Sequence, residues 1–88
     1  MGWRIEFTET AKKQVKKLGG AEARRVLDYL RDRVAVADDP RQLGKSLKGQ
    51  LSELWRYRVG DHRVICELQD QKLVVLVVRI GHRKDVYR

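Results

Sequence analysis

Three arginines flank one short turn: Arg56 and Arg58 in "LWRYRV", and Arg63 two residues beyond "GD". A guanidinium keeps its proton inside proteins and offers five donors in a planar fork that matches phosphate oxygens. Residues two apart on a strand share a face at steps of about 7 Å, so alternate arginines on paired strands make a cradle for a phosphodiester. The chain then closes with "GHRKDVYR", which brings His82, Arg83 and Tyr87 directly after the apolar run "KLVVLVVRI". A histidine titrates near neutral pH and can carry a proton; a tyrosine can stack on a base or donate one. Phosphate gripping with proton transfer beside it is the chemistry these residue types suit.

Such groups need rigid elements to hold them. Residues 3–8, "WRIEFT", alternate apolar and polar and predict a half-buried strand. Thr8 or Thr10 can cap a helix in which Ala11, Val15 and Leu18 share a face, and Gly19-Gly20 breaks it. Ala23, Val26, Leu27, Leu30, Val34 and Ala37 form the stripe of a second helix, which "DDP" at 38–40 ends. Residues 41–50, "RQLGKSLKGQ", read as a connecting loop. From residue 51 the period is two: "LSELWRYRV", "HRVICELQ" and "KLVVLVVRI" predict three strands in an antiparallel meander. The expected fold is therefore α+β, ordered β-α-α-β-β-β: an N-terminal strand, a helical hairpin, then the three-strand meander in one sheet. Residues 1–88 make a single domain.

Gly60-Asp61 suits a two-residue hairpin loop. In that register Trp55, Tyr57 and Val59 oppose Cys66, Val64 and His62 on one face. Leu54, Arg56 and Arg58 oppose Glu67, Ile65 and Arg63 on the other. Arg58 then sits directly across from Arg63, an arrangement that destabilises a sheet by up to about 1 kcal/mol. A phosphate site accounts for it; a solvated face on a basic protein is the plain alternative. The last strand leaves two outcomes open. A two-residue "QDQK" loop turns Arg83 away from the arginine face, whereas a loop one residue longer, or a bulge at Gly81, turns it back.

The net charge is +8 and the pI about 10.1, which points to polyanionic partners: nucleic acid, an acidic protein, or each in turn. No apolar stretch is long enough to span a bilayer, no signal-peptide pattern opens the chain, and a single cysteine, Cys66, fits a reducing compartment; the expectation is a cytoplasmic protein without a membrane partner. No zinc-ligand cluster or phosphate-binding glycine loop is seen, so neither a metal nor another cofactor is expected.

"LKGQLSELWRYRVGDHRVI" with "VVLVVRIGHRKDVY" resembles the RelE/ParE superfamily of type II toxin–antitoxin systems, its RelE branch most closely, and the likeness runs through the whole chain. The resemblance implies a RelE-like toxin that enters the ribosomal A site and cuts messenger RNA there, neutralised by an acidic RelB-like antitoxin. It carries Arg56 and Arg58 onto strand positions that are commonly lysine in relatives, Arg63 onto the arginine of the next strand, Arg83 onto the arginine after the last strand's glycine, and Tyr87 onto the near-terminal tyrosine. His62 and Cys66 replace tyrosines common in relatives, and two residues are missing between Arg83 and Tyr87.

Metal-free RNA cleavage uses the 2′-hydroxyl as nucleophile on the adjacent phosphate, which excludes DNA as a substrate. It needs charge stabilisation, a base and an acid. Arg56, Arg58, Arg63 and Arg83 supply the first. With arginine where relatives have lysine, His82 is the first candidate to move a proton, followed by Tyr87, with Glu53 and Glu67 behind. Lys12, Lys13, Lys16 and Lys17 read first as the wet side of a helix and second as contacts to ribosomal RNA. Trp3, Trp55 and Tyr57 read as core, His62 as structural or solvated, and Cys66 as a small buried residue. Two other functions stay open: a ParE-like, non-catalytic toxin of DNA gyrase, and an inactive basic relative that only binds RNA, DNA or an antitoxin.

Overall fold

A computed structural model of the protein describes residues 2–47 and 54–82. Strand β1 (Arg4–Phe7) leads into helices α1 (Glu9–Leu18) and α2 (Gly20–Tyr29). A two-residue strand β2 (Lys45–Ser46) precedes the meander β3 (Leu54–Val59), β4 (His62–Gln69) and β5 (Val74–His82). The sheet order is β1-β5-β4-β3-β2, with β1 parallel to β5 and every other pair antiparallel. The expected α+β plan holds, with one more strand: β2 lies in the stretch read as a loop, because two residues are too few to show a period of two.

The helices follow their local signals. Thr8 caps α1, its Oγ1 accepting from Ala11 N at 3.1 Å, and Gly19 at φ 85° ends the helix. Val26, Leu30 and Val34 are buried at intervals of four. α2 does not run on to Ala37, however. Residues 30–34 widen into a π turn in which Ala35 N donates to Leu30 O at 2.8 Å, and Val36 beyond it is 63% exposed. Leu27, counted in the stripe, sits at its margin and is exposed. None of the described helices is long and apolar enough to cross a membrane.

Helices and sheet meet over one core. Trp3, Val26, Leu30 and Val34 pack against Tyr57, Val64, Cys66, Val75, Val77 and Ile80. The opposite sheet face carries the arginines.

Contacts from outside the sheet fix both of its margins. β1 covers the edge of β5 only as far as Val77. Beyond it, Gln14 of α1 takes over, its Oε1 accepting from Ile80 N at 2.6 Å. At the other side, the 3₁₀ turn Pro40–Leu43 is tied to β3: Tyr57 Oη donates to Pro40 O at 2.8 Å, and Trp55 Nε1 donates to Arg41 O at 3.2 Å.

Candidate nucleic-acid interface

The β3–β4 hairpin is the predicted one. Val59 pairs with His62, Arg58 with Arg63, Arg56 with Ile65 and Leu54 with Glu67. Gly60 takes φ 61° at the first loop position, as a type II′ turn demands and as only glycine adopts without strain. Arg56, Arg58 and Arg63 therefore share the face turned away from the helices.

Their surroundings differ. Arg58 is exposed, Arg56 half-buried, and Arg63 only 7% exposed, its Nη1 donating to His62 O at 3.2 Å. Arg56 and Arg58 line a crevice of about 300 Å³ with Gln42, Leu43, Gly44 and Lys45. A larger cleft of about 670 Å³ lies at the β4–β5 turn, but its rim mixes signs, and Arg41 there is bound by both Asp70 carboxylate oxygens at 2.6 and 2.9 Å. That ion pair holds the Asp70 carboxyl below its ordinary range. The crevice beside the arginines, though smaller, is where clustered positive charge and a concave shape coincide.

The last strand resolves the alternatives left by the sequence, and neither loop length is the observed one. The β4–β5 loop has four residues, 70–73, with Gln69 paired to Val74. Its parity puts Val74 and Leu76 on the arginine face, as a two-residue loop also would. A bulge then intervenes: Cys66 pairs with Val77 but Ile65 with Arg79, so Val78 is the extra residue. From there Arg79 and Gly81 take the arginine face while Ile80 stays in the core. The bulge is three residues earlier than expected. Arg83 and Tyr87 lie outside the described residues, as does Glu53.

His82 is a correction. The same bulge pairs it with His62, and the two rings sit 6.3 Å apart, edge to face, on the helix side of the sheet. It does not join the arginines there. His62 itself is structural: its buried Nδ1 lies 3.5 Å from Glu22 Oε2 of α2 and makes no hydrogen bond. Lys12, Lys13, Lys16 and Lys17 are all exposed on α1, in the helix layer, and form a separate basic surface. Glu67 is on the arginine face, exposed, and accepts from Gln69 Nε2 at 2.9 Å.

The sequence reading missed two cations that the strands bring to this face. Lys45 of β2 pairs with Arg56, and Arg79 of β5 pairs with Ile65. A two-residue strand, "KS", carries no periodic signal, and no pattern of hydrophobicity announces a bulge.

Trp3 and Tyr57 are core, as expected, and Trp55 is half-buried at its margin. Cys66 is fully buried, and burial pushes its thiol well above the ordinary range. The thiolate is the reactive form, so the folded protein should resist a disulfide reagent at neutral pH and react stoichiometrically once denatured. Rapid labelling of the native state would show that the core over β4 opens readily.

The whole chain aligns with known proteins. Residues 5–87 match the family described as ParE toxin of type II toxin-antitoxin system, parDE. The chain is 29% identical over 91 residues to Toxin RelG of Mycobacterium tuberculosis, covering 100% of this chain and 99% of that protein. Among solved structures, the toxin-antitoxin complex RelBE2 of Mycobacterium tuberculosis contains a chain superposing with a TM-score of 0.86 at 25% identity, over 97% of this chain and 95% of the other. A chain of the archaeal RelE-RelB complex from Pyrococcus horikoshii gives 0.74 at 26% identity, over 98% and 100%.

Proposed function

Because the chain belongs to the ParE toxin family of type II toxin–antitoxin systems, within the RelE/ParE superfamily, we propose that it is a ribosome-dependent endoribonuclease that cuts messenger RNA in the A site. The observation that carries this reading is the convergence of Arg56, Arg58 and Arg63 on one sheet face, with Arg56 and Arg58 lining a crevice. The 2′-hydroxyl attacks its own 3′-phosphate, the bond to the 5′-oxygen of the next nucleotide breaks, and a 2′,3′-cyclic phosphate and a 5′-hydroxyl result. The arginines hold the phosphate and neutralise the charge that grows on its oxygens, where each donor is worth most in the transition state. Arg83 and Tyr87 join them in this reading, Tyr87 as stacking platform or proton donor.

With His82 on the far face, Glu67 is the described carboxylate left on the arginine face, but it sits at the end of the hairpin opposite Leu54 and is engaged by Gln69, which makes it the weaker candidate to take the proton from the 2′-hydroxyl. Orientation of the RNA and charge stabilisation therefore do most of the catalysis, with the ribosome holding the substrate in line. The partner is an acidic RelB-like antitoxin that covers the arginine face; the toxin–antitoxin complexes RelBE2 and archaeal RelE-RelB, whose toxin chains this one matches in fold, support such a partner. The site of action is the cytoplasm, where ribosomes are.

The ParE description of the matching family favours one other reading, a toxin that binds DNA gyrase without catalysis. Purified protein added to translating ribosomes separates the two. New 5′-hydroxyl ends within A-site codons, little cleavage of naked RNA, and strong loss with Arg83→Ala are expected. Intact transcripts together with inhibited supercoiling would establish the gyrase reading instead.

A further inference from the structure

Lys45, Arg56, Ile65 and Arg79 stand in one row across four strands, each paired with the next. At the usual strand spacing, the row from Lys45 to Arg79 is about 14 Å long. Arg58 and Arg63 form a second, shorter row beside it. Among the described residues of β2–β5, this face thus carries five cations and one carboxylate, Glu67. Lys45 directly opposite Arg56 repeats the unfavourable arrangement of Arg58 opposite Arg63. Two such pairs on one small sheet weaken it, and a function on that face is the ordinary reason for keeping a destabilising arrangement.

We propose that Lys45 and Arg79 are positioning residues for the RNA. They hold the phosphates on either side of the one gripped by Arg56, Arg58 and Arg63, so that the strand crosses the sheet roughly perpendicular to β3 and β4. The length of the row suits a few nucleotides of extended single strand. The crevice formed by Gln42, Leu43 and Gly44 beside Lys45 receives one end of the strand. Lysine suits this outer position, being a point charge with three rotatable donors that tolerates a moving phosphate, whereas the fork of arginine suits the fixed one. The role of both residues rests on the nuclease reading, from which the substrate is taken.

The test uses a short 2′-O-methyl single-stranded RNA, which cannot be cut, and measures its affinity for the wild type, Lys45→Gln, Arg79→Gln and the double variant across a salt series. Arg33→Gln removes the same charge from the exposed helix layer and serves as control. Each row variant should weaken binding and flatten the slope of log K against log salt by about 0.7, the double by about 1.4, while Arg33→Gln changes little. In parallel ribosome assays, the row variants should raise KM with kcat nearly kept, which a merely structural role would not do. RNA binding with a slope unchanged in both row variants, or lowered equally by Arg33→Gln, overturns the row and leaves the nuclease reading standing. A wild type that binds RNA through the row yet cuts nothing on ribosomes overturns the nuclease reading alone.

Discussion

Replacing Arg58 with alanine should lower messenger RNA cleavage on the ribosome by about 10²–10³-fold, the loss expected when one donor to a developing oxyanion is removed. The melting temperature should stay level or rise. Arg58 is exposed and sits directly across from Arg63, so its removal relieves a like-charge contact worth up to about 1 kcal/mol. Opposite signs for activity and stability are what distinguish a functional cation from a structural one. Thermal melts and single-turnover cleavage, done on the same preparation, provide both numbers. Activity within about tenfold of the wild type in a variant that melts normally would remove the arginine face from the chemistry. Arg63→Ala is the less clean experiment, because a guanidinium that is 7% exposed also contributes packing along its stem.

The hairpin that carries these arginines was legible in the chain because two local rules agreed. Gly60-Asp61 set the loop, and the alternation on either side set which residues share a face. Once the loop length is right, every pair from Val59–His62 to Leu54–Glu67 follows from a constant sum of residue numbers, and each is observed. The helices were legible for a similar reason, through the Thr8 cap and the buried Val26, Leu30 and Val34. Their exact end was not, since a π turn differs from an α turn by one hydrogen-bond step and leaves the apolar stripe almost unchanged.

What escaped the sequence depends on contacts far apart along the chain. Val78 is apolar, like its neighbours, and its identity does not reveal that it is the one residue out of step. The demand comes from both sides of it: Val77 and Ile80 must both face the core, and three residues of separation cannot satisfy a period of two. Reading "VVRIGH" with that constraint would have located the bulge, moved Arg79 onto the arginine face and sent His82 to His62. Two hydrogen bonds secure the place, from Thr8 Oγ1 to Val78 O at 3.3 Å and from Ile80 N to Gln14 at 2.6 Å. The strand β2 escaped because its position is dictated by the turn before it.

That turn is the basis of the second large effect. Gly44→Ala should destabilise the protein by about 1–3 kcal/mol or more, the range for overpacking a filled site, which for a domain of this size lowers the melting temperature by roughly 4–8 °C per kcal/mol. The cause is space, since φ of Gly44 is −138° and open to any residue. A Cβ there would lie 2.4 Å from Arg56 O, 2.7 Å from Trp55 Cδ1 and 2.9 Å from Tyr57 Cδ1. None of the three can easily yield. The carbonyl belongs to β3, and both rings are held by the same turn, through Trp55 Nε1 to Arg41 O and Tyr57 Oη to Pro40 O. Relief requires β2 and the turn to lift away from β3, which would also carry Lys45 from its place opposite Arg56. The variant that still folds should therefore lose RNA affinity as Lys45→Gln does, and adding Lys45→Gln to it should bring little further loss. A Gly44→Ala protein that melts like the wild type would mean that the turn is looser on β3 than these contacts require.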